Sequence, residues 1–193
     1  MTELVQASTT EKRRRFEVKV LPHLDAAYNL ALWITRNADD AQDVVQDALL
    51  RAMRYIGSLR LESARPWLLQ IVRHTCYTWL KENRPQEKLL FDDPEDAWRD
   101  LADASSTEPP EIAIRKAERE QINAAIAALP VGYREVFVLR ELEELSYNDI
   151  ARIAEIPVGT VMSRLARARG LMRSALAPTR PALRTVPRPA QAG

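Results

Sequence analysis

Hydrophobic residues recur through most of this chain at intervals of three and four, the period of an α-helix, and seldom alternate as a half-buried strand would. Ala41, Val44, Val45, Ala48, Leu49, Ala52 and Ile56 fall on one stripe of a helix running from about Asp40 to Ile56. Asp39, with Gln42 three residues on, offers a capping box at its start. One helix is predicted before it, from about Phe16 to Asn37, and one after it, from about Pro66 to Asn83, where the proline suits a first turn. In the latter, an apolar side of Leu68, Ile71, Val72, Thr75 and Trp79 opposes an outward side of Gln70, Arg73, His74, Tyr77 and Lys81. These three helices make a first bundle. A second bundle of four is expected between Ile112 and Ala177. It opens with the stripe Ile122, Ala125, Ile126 and Leu129, closed by Pro130, and continues with a helix through Val136, Phe137, Leu139 and Leu142. The fold class is therefore all-α.

The last two helices of that bundle carry the sharpest pattern. Ser146 caps the first, Asp149 completes a reciprocal box, and Pro157 ends it. The second starts near Val158 and places Val161, Leu165, Ala168 and Met172 on one stripe. Opposite lie Met162, Ser163, Ala166 and Arg167, flanked by Arg164 on one side and by Arg169 and Arg173 on the other. An arginine-rich face on an isolated helix is more readily explained by solvation than by DNA binding. Here the two caps, the turn length and the absence of acidic residues from Val158 to Arg173 agree on a helix-turn-helix that enters a DNA major groove.

Two faces of the first bundle also carry chemistry. The outward side of the 40–56 helix mixes Asp43, Gln46, Asp47 and Arg54 with Leu50, which invites a protein partner, although acids near a helix start also stabilise its dipole without further function. The outward side of the 66–83 helix combines amide, imidazole, phenol and cations, the groups that stack on and hydrogen-bond unpaired bases. Trp67 and Trp79 are read more readily as core residues than as stacking platforms. The loop Gly57–Arg65 enters the third helix abruptly and could hold a pocket. Arg134 and Arg140 either reach phosphates or pair with Glu135, Glu141, Glu143 or Glu144.

Composition changes this picture in one respect. The formal net charge of +1 over 193 residues hides a segregation of sign, since Gln86–Glu111 holds nine acidic residues against Lys88 and Arg99. That segment, with Pro94, Pro109 and Pro110, reads as an acidic flexible linker. The expected organisation is residues 1–85, a linker 86–111, residues 112–177, and a disordered tail 178–193 with four prolines and three arginines. Cys76 is the single cysteine, and no apolar run of ~18 residues could cross a bilayer, so a cytoplasmic protein without membrane insertion is expected. His23, His74, Cys76 and the carboxylates show neither metal-ligand spacing nor a nucleophile signature. No catalytic, metal-binding or cofactor-binding residue is expected, and the chain is not read as an enzyme.

Residues 128–130 (ALP), 133–140 (YREVFVLR), 145–151 (LSYNDIA) and 158–169 (VGTVMSRLARAR) together resemble region 4 of bacterial sigma-70 factors of the extracytoplasmic-function (ECF) group. Residues 39–47 (DDAQDVVQD) resemble region 2.2 of that family, and 65–75 (RPWLLQIVRHT) its promoter-melting segment. The resemblance implies a sigma factor that binds core RNA polymerase, directs it to promoter DNA and assists melting. It implies that Asp39, Asp43, Gln46, Asp47 and Leu50 meet the clamp helices of the largest polymerase subunit, and that the polymerase flap region is a further contact. It implies that Arg65, Trp67, Gln70, Arg73, His74, Tyr77 and Lys81 engage the minus-10 element. Thr160, Met162, Ser163, Arg164, Ala166, Arg167, Arg169 and Arg173 would then engage the minus-35 element. An anti-sigma factor is an implied partner. Met162 stands where many relatives have arginine, Ala166 where some have an aromatic and His74 where asparagine is frequent, so base preference is not carried over. The rival reading is a helix-turn-helix regulator that acts without polymerase.

Overall fold

Breaks in the backbone decide how the helical periods become separate helices. The structure, a computed structural model, describes residues 2–59, 64–84 and 110–177. α1 (Thr2–Lys19) does not run on into α2 (Leu24–Thr35), because Pro22, which lacks an N–H and clashes with a preceding helical turn, sits in a 3₁₀ turn over Leu21–His23. The single helix expected from Phe16 to Asn37 is thus two. α2 stops at Arg36, whose left-handed φ of 57° turns the chain, while its N–H still reaches the Leu32 carbonyl at 2.8 Å. Asn37 then caps α3 (Ala38–Tyr55), its Oδ1 accepting from the N–H groups of Asp39 and Asp40 at 2.9 and 3.0 Å. This cap replaces the Asp39–Gln42 box expected from sequence. Asparagine ranks with aspartate as a cap and sits two residues earlier.

α4 (Ala64–Asn83) crosses α2 and α3 and buries Leu68, Leu69, Val72, Cys76 and Leu80. α3, which packs against α4, buries the short residues Ala41, Ala48 and Ala52 with no exposed surface. At its end the Arg84 Nη1 donates to the Thr35 carbonyl at 3.0 Å, tying α4 to the α2–α3 turn. The described part of the first bundle therefore has four helices, and the loop expected to hold a pocket lies partly outside the described residues, which omit 60–63. The acidic linker falls largely outside them and the tail wholly so.

α5 (Pro110–Ala128), α6 (Val131–Phe137), α7 (Tyr147–Ala154) and α8 (Val158–Leu176) form the second group. α6 runs into a π turn at Val138–Leu142, closed by Glu143 N–H to the Val138 carbonyl at 3.0 Å. That extra residue per turn rotates Leu142 outward, where it is exposed, although simple helical spacing places it on the apolar stripe. Ile122 is likewise exposed, while Ala125, Ile126 and Leu129 are buried. Ser146 caps α7 as expected, its Oγ accepting from the Asp149 N–H at 3.1 Å, but the return bond runs from the Ser146 hydroxyl to the Asp149 carboxylate at 2.7 Å. Glu155, at φ 56°, ends α7 before Pro157 is reached; the proline instead precedes α8 as its N-cap.

The two groups pack directly, α2 and α4 against α6 and α7, and one buried apolar cluster runs through both. Asn37→Ala is expected to lower stability by about 1 kcal/mol and Leu30→Ala by about 2–5 kcal/mol, measured by denaturant unfolding. An Asn37 variant as stable as the parent would return the cap to Asp39.

Candidate nucleic-acid interface

α8 presents the face opposite its buried stripe much as its spacing predicts. Val161, Leu165, Ala168 and Met172 are buried, whereas Met162 (54% exposed), Ser163, Ala166, Arg167, Arg169 and Arg173 are exposed, with Thr160 and Arg164 half-buried. Two arginines are anchored. Arg167 donates to the Tyr133 hydroxyl at 3.2 Å, and Arg169 donates from Nε and Nη2 to one Glu141 oxygen at 3.0 and 2.7 Å. That hydrogen-bonded carboxylate raises the Arg169 guanidinium above its ordinary range. Short side chains along the centre with cations at the rim suit a helix laid in a major groove.

On α3 the residues Asp39, Asp43, Gln46 and Asp47 are all exposed on one side, with Leu50 61% exposed among them. Nothing in the described residues covers this face. Met53 extends its apolar content toward the end of the helix.

α4 differs from its expected state. The side expected to face outward meets the second group of helices, with Gln70, Arg73 and Tyr77 half-buried against it and His74 still exposed. Arg73 Nε donates to Glu135 Oε1, and the Tyr77 hydroxyl donates to Oε2 of the same carboxylate at 2.7 Å. The Arg73 guanidinium also lies over the Tyr77 ring, 4.4 Å from its centroid. Arg65 pairs with Glu143, which also accepts from Asn29 Nδ2 at 3.3 Å. Gln70 Nε2 donates to Glu155 Oε1 at 3.0 Å, and His74 Nε2 lies 3.1 Å from the same oxygen. Trp67 packs half-buried against the core, and Lys81 alone of the expected set is left exposed away from these contacts.

The electrostatics follow from that burial. The Glu135 side chain has no exposed surface. Burial pulls the Arg73 guanidinium down, but Glu135, with Tyr77 and Glu155, outweighs it and holds the group above its usual range. The Tyr77 phenol is pushed well up, by burial first and by Glu135 second. Hydrogen bonds from Gln70 and then His74 hold the Glu155 carboxyl low. His23 is lowered by burial and by Arg65.

Sequence reasoning missed Glu135, Glu143 and Glu155 as partners of this face. Arg134 and Arg140, expected to reach phosphates or neighbouring carboxylates, bind carbonyls. Arg134 donates to Leu129 and, across the interface, to Trp33 at 2.8 Å, and Arg140 donates to Leu145 at 2.8 Å while lying over the Tyr147 ring. The structure shows why. Val131–Val136 is buried at every position, so Arg134 and Glu135 sit where a one-sided helix would put apolar groups.

The family model for Sigma-70 region 2 matches residues 20–86, and that for Sigma-70, region 4 matches residues 119–172. The chain is 33% identical over 180 residues to the RNA polymerase sigma-H factor of Pseudomonas aeruginosa, covering 91% of this chain and 93% of that protein. It is 38% identical over 156 residues to the ECF RNA polymerase sigma-E factor of Haemophilus influenzae, covering 77% and 80%. Its fold resembles that of the sigma factor RpoE solved with the anti-sigma factor NepR from Bartonella quintana, with a TM-score of 0.64, 23% identity, and 86% and 98% of the two chains covered. CnrH, solved with the cytosolic domain of CnrY, gives a TM-score of 0.61 at 21% identity, with 90% and 94% covered.

Cys76 has no exposed surface, and burial followed by the Glu135 charge pushes its thiol far up. A thiolate is the reactive form, so a disulfide-exchange reagent at pH 8 is expected to label the denatured chain at once and the native chain only at the rate of opening. Labelling of native protein within the mixing time would show that α4 is not packed as described.

Proposed function

The chain belongs to the ECF group of the sigma-70 family, and on that premise we propose how its faces divide the work of a sigma factor. It acts with RNA polymerase in the initiation of transcription at promoters. The open α3 face docks on core polymerase, with Leu50 entering an apolar site on the largest subunit's clamp helices while Asp39, Asp43, Gln46 and Asp47 meet cations around it. The flap region takes the shallow apolar groove lined by Phe137, Met172 and Leu176 between α6 and α8.

The α8 face, with Thr160, Met162, Ser163 and Ala166 at its centre, reads the minus-35 element. Arg164, Arg167, Arg169 and Arg173 supply cations along its sides. The α4 face, with Arg65, Gln70, Arg73, His74, Tyr77 and Lys81, engages the minus-10 element and holds its opened strand, with Trp67 supporting the entry of α4. A phenol and an imidazole beside two guanidinium groups can stack on unpaired bases and grip their backbone, which compensates the unstacking cost of opening a duplex. The observation that carries this reading is the placement of base-binding chemistry on two helices, one in each matched region, in a chain that also keeps a separate acidic and apolar face open.

The domain boundaries follow: residues 1–85 for polymerase binding and melting, 112–177 for upstream recognition, and 86–111 between them. The role is one of binding rather than catalysis, and it is exercised where polymerase and promoter DNA meet, in the cytoplasm. No described helix is long and apolar enough to cross a membrane. RpoE and CnrH were each solved with a partner, an anti-sigma factor in the former case, which supports an anti-sigma partner for this chain.

Run-off transcription with purified core polymerase on a genomic promoter library tests the whole reading. Start-site selection that depends on the added chain is expected, and a chain that binds duplex promoters yet neither associates with polymerase nor directs it would be an ordinary helix-turn-helix regulator. Arg167→Ala is expected to weaken minus-35 binding by about 1–3 kcal/mol, and an equal loss on every unrelated duplex would reduce it to a phosphate clamp. In the holoenzyme, Arg73→Ala is expected to slow open-complex formation more than closed-complex formation. Leu50→Asp combined with Asp47→Lys is expected to raise the dissociation constant for core polymerase at least about tenfold while leaving the unfolding midpoint within a few degrees.

A further inference from the structure

α1 carries five cations between Lys12 and Lys19, and none of them belongs to the three faces described above. The helix also precedes residue 20, where the match to Sigma-70 region 2 begins. Steps of 100° gather Glu11, Arg14, Arg15, Val18 and Lys19 within about 140° of arc on one side of it. The same residues line a groove along α1. We propose that this groove is a further phosphate-binding site, which takes the backbone of the opened promoter strand as it leaves the first turn of α4. The inference rests on the assignment of α4 to that strand made above.

Three observations carry it. The first is charge that the fold does not neutralise. Arg13 pairs with Glu17 at 2.9 Å, whereas among the described residues neither Arg14 nor Lys19 has a carboxylate partner, although Glu11 stands three residues before Arg14. Glu11 is the one acid among the described groove residues, against Arg14, Arg15 and Lys19. A favourable interaction with the helix dipole accounts for Lys19 in the last turn, but not for two arginines farther from the helix end.

The second is a donor in deficit. Arg15 donates from Nη2 to the Leu59 carbonyl, while its Nε is buried and has no hydrogen-bond partner among the described residues. A buried N–H without an acceptor is unfavourable, and a phosphate in the groove brings acceptor oxygens to a guanidinium fork suited to them.

The third is position. The Arg15–Leu59 bond holds α1 beside the Ile56–Ser58 turn, and only residues 60–63 separate Leu59 from the start of α4 at Ala64. His23, in the turn that follows α1, lies close enough to Arg65 in the first turn of α4 for that charge to help lower its imidazole. Cations thus run from the start of α4 onto α1. α1 packs on the Leu21–His23 and Ile56–Ser58 turns and on α3, all within the bundle assigned to the opened strand, so its groove continues the α4 face rather than the α8 face.

The test uses holoenzyme assembled with the full chain as wild type, as Arg14→Gln with Lys19→Gln, and as Arg73→Ala. It also needs two fork-shaped promoter fragments. One ends at the minus-10 element, and the other carries ten further unpaired nucleotides on the strand assigned to α4. Fluorescence anisotropy reports the affinity for each over a range of salt concentrations. The wild type is expected to bind the longer fork more tightly than the shorter. In the α1 double variant the longer fork should weaken at least about fivefold, with a log–log salt slope shallower by about 1.4 for the two cations removed, while the shorter fork changes less than about twofold. A double variant that matches the wild type on both forks would overturn the site. So would an equal loss on both forks, or a failure to assemble with core polymerase, because the groove would then serve duplex DNA or the polymerase. An Arg73→Ala holoenzyme that binds both forks as the wild type does, beside a double variant that loses only the longer one, would remove α4 from strand binding and leave the α1 site standing. If the double variant is unfolded by circular dichroism, Arg14→Gln at its exposed position decides alone, with an expected slope change of about 0.7 on the longer fork.

Discussion

Glu135 is held with its carboxylate out of water, and that is tolerable only while Arg73 and Tyr77, from a helix far away in sequence, stay against it. A buried charge left without its partner costs about 3–5 kcal/mol, a large fraction of the stability of a small domain. The triad therefore couples the two groups of helices. Around it Arg65 meets Glu143, Gln70 and His74 meet Glu155, and Arg134 reaches the Trp33 carbonyl, so the junction is polar at its edge as well as at its centre.

That coupling gives the three functional faces unequal status. The α3 and α8 faces are formed within their own bundles and stay exposed whether or not the bundles touch. The α4 face has the same chemistry of donors and rings but is satisfied internally. Its donors are already engaged by Glu135, Glu143 and Glu155. The acidic and apolar face of α3 meanwhile stays exposed.

The fold beneath these faces is secured by short devices at the helix ends. Arg36 and Glu155 take left-handed conformations that stop α2 and α7, and Asn37 and Ser146 cap the helices that follow a turn. In α6 the π turn serves position rather than termination, since it sets where Glu143 points. Each device is local, yet each fixes the angle at which a face is presented.

Periodicity in the chain determined the all-α class, the buried stripe of α8 and the exposed face opposite it, because both faces are set within one helix by 100° steps. It also marked the acidic face of α3, whose exposure needs only that α2 and α4 lie on the other side. The split at Pro22 and the Asn37 cap were legible in principle, since proline and asparagine act on their immediate neighbours. What the Gln70, Arg73, His74 and Tyr77 side faces could not be read from residues 64–84 at all. A polar side chain satisfies itself equally with water or with a carboxylate brought from elsewhere in the chain, and periodicity does not distinguish the two. Only the packing of α6 and α7 onto α4, with the register set by the π turn, decided that these groups meet Glu135, Glu143 and Glu155.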